Sequence, residues 1–159
     1  MLIAMPFDPV FSKILVAYDG SEQSKKAVRI AARMALMFHG EVLILTVVPT
    51  VSYPIYHGDM YGGATTVMTE AEVNGMKTAY NKALEDARRE LAEYYPQLHV
   101  ETALIEGRPS SVIVEEAEKS GAALIVIGRR GLGGISGWIL GSTSRKVVDN
   151  CTKPVLVVK

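Results

Sequence analysis

A glycine-rich segment that ends in three hydroxyl side chains is the part of this sequence best suited to chemistry. It reads GRRGLGGISGWILGSTS over residues 128–144, and its glycines at 128, 131 and 141 have the spacing G-x2-G-x9-G. Glycine lets the backbone approach a ligand closely, and unpaired N–H groups at a helix start attract anions. Ser142, Thr143 and Ser144 could add hydroxyl donors. The pattern indicates a phosphate-binding loop; the alternative is a flexible loop in which Ser142 or Ser144 caps the last helix.

The usual fingerprints of phosphate-handling enzymes are missing from the sequence. There is no G-x-x-x-x-G-K-[ST], and AYDGSEQ follows the first predicted strand, where a dinucleotide fold needs G-x-G-x-x-G. A P-loop enzyme and a Rossmann oxidoreductase are therefore disfavoured. No Ser/His/Asp arrangement is evident, and His39, His57 and His99 lack metal-ligand spacing, so they are interpreted as surface or turn residues. We assign no catalytic residue.

Strands and helices alternate along the chain. Apolar runs at residues 14–18, 42–48 and 122–127 predict buried strands, residues 98–106 alternate as an edge strand does, and residues 155–158 form a last strand. Helical spacing connects them: one helix is capped by Ser21 and stopped near Gly40, one runs to about residue 95, one starts at Pro109, and one covers residues 144–150.

This alternation predicts a single α/β domain over residues 1–159, with a parallel sheet covered by helices on both faces and a long loop at about residues 49–66. In such sheets, ligands bind beyond the carboxyl ends of the strands at a switch point. The first strand and the strand at residues 122–127 are expected to be neighbours there. Asp19, which ends the first strand, could bind a ribose hydroxyl or a phosphate-bridging metal, or help to cap the first helix.

Composition limits the partners and the location of the protein. Lys plus Arg and Asp plus Glu each number 17, so no overall field favours nucleic acid or acidic lipid. Cys151 is the only cysteine, which excludes an internal disulfide. No apolar run approaches the roughly 20 residues that span a bilayer. The opening MLIAMPFDPVFSK lacks the basic region of a signal peptide, so we expect a cytoplasmic protein with no membrane or nucleic-acid partner.

The sequence resembles the universal stress protein family over nearly its whole length. KILVAYDGSEQS is similar to the first strand and turn of the family, EVLILTVV to its second strand, AALIVIGRRGLGG to its fourth, and the glycine spacing to its nucleotide-binding signature. The resemblance implies a Rossmann-like open five-stranded sheet of order 3-2-1-4-5 that binds adenine nucleotide. The residues that it assigns to the nucleotide site are Ala17, Tyr18 and Asp19 on the adenosine side, Val47 beside adenine, Gly128 at the ribose with Ile127 before it, and Gly131, Gly141, Ser142, Thr143 and Ser144 around the phosphates.

The same resemblance implies a stress-response or signalling switch that depends on bound ATP. The resemblance leaves open whether ADP or AMP is bound in place of ATP, and whether Mg²⁺ or Mn²⁺ accompanies the nucleotide. The alternatives are a slow ATP hydrolase and a protein-interaction module with vestigial or different nucleotide binding. A homodimer is also expected through the last strand, Val155–Val158, because pairing would cover an exposed apolar edge. The alternative is an edge that Pro154 and Lys159 protect.

Overall fold

The structure is a computed structural model that describes residues 11–50, 70–131 and 140–159. Over these residues, strands and helices alternate along the chain. The strands are β1 (Lys13–Ala17), β2 (Glu41–Pro49), β3 (Val100–Gly107), β4 (Leu124–Gly128) and β5 (Val155–Val158). The helices are α1 (Glu22–Met37), α2 (Glu70–Tyr94), α3 (Pro109–Lys119) and α4 (Ser142–Asn150). The predicted long loop begins at the end of β2, and its residues 51–66 lie outside the described residues.

The five strands form one parallel sheet of order β3-β2-β1-β4-β5, as predicted. Strand β1 lies in the middle, with Ala17 opposite Leu45 of β2 on one side and Ile127 of β4 on the other. The chain winds from β1 through β2 to β3 in one direction, and from β4 to β5 in the other. The carboxyl ends of β1 and β4 therefore meet at the switch point where this fold class binds ligands.

Apolar side chains alternate between the two faces of the sheet and form a core layer on each. Ile14 and Val16 belong to the layer that α1 and α2 cover, and Leu15 and Ile125 belong to the layer that α3 and α4 cover. Each of these four side chains has no exposed surface. Burial of one such side chain contributes about 1.5–3 kcal/mol, so the two layers hold the central strands firmly in register.

Helix α1 begins with a side-chain cap and ends on a left-handed residue. The N–H of Ser24 donates to Ser21 Oγ at 3.2 Å, which confirms Ser21 as the cap. At the other end, His39 takes the left-handed conformation, with φ at 53°, so the expectation that Gly40 would stop the helix is wrong in its mechanism. Gly40 is needed for space, because a Cβ there would overlap the carbonyl oxygen of Phe11.

Two strands begin two residues later than the sequence indicates. The N–H of Leu98 donates to the Tyr95 carbonyl at 2.9 Å, which keeps Leu98 in the turn after α2 and delays β3. The N–H of Ala122 donates to the Ala117 carbonyl at 2.9 Å, which closes α3 and delays β4. In both places an apolar residue just before a strand is hydrogen-bonded in the turn after the preceding helix. The hydrophobic pattern alone does not distinguish such a residue from the first residue of a strand.

Candidate functional site

Side chains from three strands meet at the carboxyl edge of the sheet. Ala17 ends β1, and Val47 and Ile127 lie within two residues of the ends of β2 and β4 on the same face, where all three pack with the layer under α3 and α4. Ile127 is buried, whereas Ala17 and Val47 are partly exposed. They form an apolar floor at the switch point, and a flat apolar group could rest against it.

Tyr18 differs from its neighbours in the predicted site. Its side chain lies on the opposite face in the core under α1 and α2, and only 7% of it is exposed. Burial is the main reason that the pKa of the Tyr18 phenol is raised. The Tyr18 N–H donates to the Leu45 carbonyl at 2.8 Å, so the residue also extends the sheet.

Asp19 connects the first turn to the glycine-rich segment. Its Oδ1 accepts the N–H of Ser21 at 3.0 Å, and its own N–H donates to Ser24 Oγ at 3.4 Å. Asp19 thus supports the turn before α1, while Ser21 caps the helix. Its other carboxylate oxygen lies against Gly131, where any Cβ would overlap it. The fold therefore brings together Asp19 and Gly131, two predicted site residues that are far apart in sequence.

The backbone of Arg129 joins three elements beside the site. Its N–H donates to the Val158 carbonyl at 2.7 Å and so continues the pairing of β4 with β5. Its carbonyl accepts the Gly141 N–H at 2.9 Å and the Ser144 hydroxyl at 2.8 Å. Both ends of the glycine-rich segment are therefore held side by side, although residues 132–139 lie outside the described part of the chain.

Helix α4 begins at Ser142 without a side-chain cap. Gly141 is the capping residue, with φ −62° and ψ 157°, and among the described residues no side chain bonds to the first-turn amides. The alternative in which Ser142 or Ser144 caps the helix is wrong, because Gly141 is the N-cap, Ser142 is already the first helical residue, and the buried Ser144 hydroxyl donates to carbonyls of Arg129 and Gly141. An uncapped helix start leaves N–H groups and a positive dipole end for an anion. Ser142 is exposed and Thr143 partly exposed there.

Two features of this edge escape sequence reasoning. Gln23 Oε1 accepts the N–H of Arg130 at 2.8 Å, a contact that no local pattern indicates. The Nε of Arg129 is buried and has no hydrogen-bond partner among the described residues. A buried donor without an acceptor is unfavourable by about 1–3 kcal/mol, and an anion bound at α4 would be a natural acceptor.

A second cluster of ionisable groups lies at the opposite, amino-terminal edge of the sheet. Lys13 Nζ lies 2.8 Å from Glu41 and 2.9 Å from Glu101, and His99 Nε2 lies 3.5 Å from Glu101 and 3.8 Å from Glu41. The hydrogen bonds to Glu41 and Glu101 raise the pKa of Lys13, and Lys13 lowers the pKa of Glu101.

Strand pairing therefore gives His99 two acidic neighbours, which the sequence interpretation of a solitary surface histidine did not foresee. Glu41, His99 and Glu101 could by spacing hold a metal ion. The Lys13 ammonium already pairs with both carboxylates, however, and the cluster lies at the end of the sheet away from α4. His39 occupies a turn as predicted, and His57 lies outside the described residues.

Within the described ranges, no helix combines the length and the apolar character needed to cross a membrane.

Comparisons with known proteins place this architecture in a family. The family model for the universal stress protein family matches residues 11–159. Universal stress protein YxiE of Bacillus subtilis is 35% identical over 157 residues, which cover 94% of this chain and 100% of that protein.

Two solved structures are similar over nearly their full lengths. A universal stress protein in complex with cAMP has 26% identity and a TM-score of 0.68, covering 94% of this chain and 98% of its own. The universal stress protein from Archaeoglobus fulgidus in complex with dAMP has 25% identity and a TM-score of 0.61, covering 94% and 99%. With the family model spanning almost the whole chain, this protein belongs to the universal stress protein family.

Proposed function

We propose that this protein binds an adenine nucleotide at the carboxyl edge of β1, β2 and β4 and acts as a nucleotide-dependent stress-response or signalling switch. The observation that carries the proposal is the uncapped start of α4 at Gly141, held beside Gly128 and Gly131. The relatives solved in complex with cAMP and dAMP support an adenine nucleotide as the ligand.

The residues at this edge fit the parts of such a ligand. Phosphate suits the first-turn amides of Ser142, Thr143 and Ser144, because an anion there replaces a missing side-chain cap. The buried Arg129 Nε could donate to the same anion. Adenosine suits the apolar floor of Ala17, Val47 and Ile127, on which a base could lie flat. Gly128 and Gly131 would let the backbone lie close to the bound nucleotide, because neither residue places a side chain over the apolar floor.

ATP is the proposed physiological ligand, with Mg²⁺ or Mn²⁺ bound through its phosphates and Asp19. A carboxylate oxygen is a suitable ligand for these hard cations, and Asp19 Oδ2 lies beside Gly131 at the same edge. A metal would neutralise phosphate charge at this position. The chain's own groups then bind and orient the phosphates; turnover is not part of the proposal, since no residue is assigned to activate water.

We also propose a homodimer through β5. This strand is an edge of the sheet, and Val155, Leu156 and Val157 are each only partly buried. An apolar edge with unpaired backbone groups is prone to uncontrolled association, and pairing with a second copy covers it. In such a dimer, each copy would place the outer edge of its β5 at the interface, while the Val158 carbonyl keeps its bond to the Arg129 N–H on the β4 side.

The test of nucleotide binding combines identification and titration. Purified protein is denatured and the released small molecules are identified by mass spectrometry; the stripped protein is then titrated with ATP, AMP and cAMP by calorimetry. We expect saturable binding of adenine nucleotide that weakens about tenfold in Gly141→Ala, since its Cβ would lie 3.0 Å from the Arg129 carbonyl oxygen, so that this carbonyl, which holds the start of α4, must shift.

Gly75→Ala is the matched control, because Gly75 lies in α2 with nothing within 4 Å of an added Cβ. Folded protein that carries no nucleotide and binds none of the three would refute the proposal. Equal affinity in Gly141→Ala and Gly75→Ala would place the ligand elsewhere.

A further inference from the structure

A glutamine in the first turn of α1, Gln23, hydrogen-bonds the backbone near the start of the glycine-rich segment. The Gln23 side-chain oxygen accepts the Arg130 N–H at 2.8 Å, across 107 residues of sequence. Gln23 is only partly exposed, and its side chain bonds the backbone of the segment that follows β4, so the contact joins the start of α1 to that segment. A bond of this kind fixes a loop that no strand pairing reaches.

Close packing strengthens this contact. A Cβ on Gly128 would lie 3.2 Å from Gln23 Cβ and 3.3 Å from its carbonyl carbon, so a side chain at residue 128 would crowd Gln23. The start of α1 thus lies directly against the end of β4. Gly128, which the sequence assigns to ligand binding, is also the residue that lets Gln23 approach.

Residues 128–130 are consequently held from three sides. Gln23 in α1 fixes Arg130, β5 takes the Arg129 N–H, and the start of α4 donates to the Arg129 carbonyl. The Arg130 N–H is committed to Gln23 and does not serve as a phosphate donor. The first-turn amides of α4 remain the proposed phosphate donors. Their position relative to Gly128 depends on the contacts that Gln23, β5 and α4 make with residues 128–130.

We infer that Gln23 is a positioning residue for nucleotide binding: through the Arg130 backbone it fixes residues 128–131 beside the start of α4. This inference rests on the proposed function and names a residue of the same site that does not touch the ligand. Gln23→Met keeps the length of the side chain and removes the acceptor. Loss of one intramolecular hydrogen bond predicts that affinity for AMP and for ATP falls about three- to tenfold.

The experiment uses the full chain, stripped of nucleotide, with AMP and ATP as probes in calorimetry. Gln23→Met is compared with the wild type and with Gln97→Met, an exposed glutamine in the turn before β3. Amide hydrogen exchange at Arg130 is measured in parallel, and we expect faster exchange in Gln23→Met only. Gln23→Glu retains an acceptor at the same distance, so it should restore the slow exchange, which a loss of general stability would not predict.

The outcomes separate this inference from the proposed function. Wild-type binding with affinity in Gln23→Met within twofold, or unchanged Arg130 exchange, would overturn the positioning role alone. A wild type that binds neither AMP nor ATP would overturn the proposed function and with it the site that Gln23 serves. If Gln23→Met does not fold, Gln23→Asn takes its place, because its shorter side chain withdraws the acceptor from Arg130 and predicts the same losses.

Discussion

Replacement of Gly131 by alanine tests whether Asp19 and the glycine-rich segment form one unit. An added Cβ would overlap Asp19 Oδ2, so the carboxylate must move. The same carboxylate accepts the Ser21 N–H at 3.0 Å through its other oxygen, so a rotation that clears Gly131 also weakens that bond. One hydrogen bond contributes about 1 kcal/mol, so Gly131→Ala is expected to lower the free energy of unfolding by no more than that amount.

A double-mutant cycle isolates the cause. Asp19→Ala removes both the obstructing oxygen and the bond to Ser21, so adding Gly131→Ala to it should change stability by less than about 0.5 kcal/mol. Urea denaturation at neutral pH provides the four free energies of unfolding. Gly75→Ala is the control of opposite sign, since an open site in the second turn of α2 gains about 0.5–1 kcal/mol from alanine. If Gly131→Ala and Asp19→Ala are simply additive, the carboxylate does not limit the space at Gly131.

Three further predictions concern other parts of the molecule. Lys13→Met should lower the free energy of unfolding by about 1 kcal/mol at pH 7, whereas Lys119→Met, at an exposed lysine, should change it little. Because Lys13 lowers the pKa of Glu101 from 4.5, this stabilisation is present above that pH and fades as the pH falls through the folded pKa, so an equal effect at pH 3 would contradict it. Thr46→Val should raise the melting temperature and increase the free energy of unfolding by about 1 kcal/mol, because Thr46 Oγ1 is buried without a hydrogen-bond partner in the described residues. A lower melting temperature would contradict this prediction. Val157→Lys should convert the proposed dimer to monomer in sedimentation velocity, and an unchanged mass would refute pairing through β5.

Sequence patterns predicted the helices and strands and also which strand lies at a sheet edge. A strand buried on both faces is a continuous apolar run, whereas a strand buried on one face alternates apolar and polar residues. Strand β3 is an example: it alternates in sequence and lies at the edge of the sheet. The strand order was implied by the family resemblance. Helix ends were harder, since Gly40 indicated a stop but His39 supplies the left-handed residue.

The candidate site was anticipated only where its residues are contiguous or regularly spaced. Gly128, Gly131 and Gly141 form a pattern that can be found in one sequence, whereas the contacts of Gln23 with Arg130 and of Asp19 with Gly131 cross more than a hundred residues. Such contacts depend on strand register and on the docking of α1, which set distances that composition and period do not contain. The Ser144 hydroxyl illustrates the limit, because it faces a carbonyl rather than the proposed phosphates.

Adenine-nucleotide binding at the carboxyl edge is tested most directly by a ¹H–¹⁵N NMR titration of the stripped protein with AMP and ATP. The site predicts saturable shifts of the amides of Gly128, Gly131, Ser142 and Thr143, with the amides of Glu41 and Glu101 at the opposite edge unmoved. Shifts that saturate elsewhere in the sheet, or a spectrum unchanged at millimolar nucleotide, would contradict it.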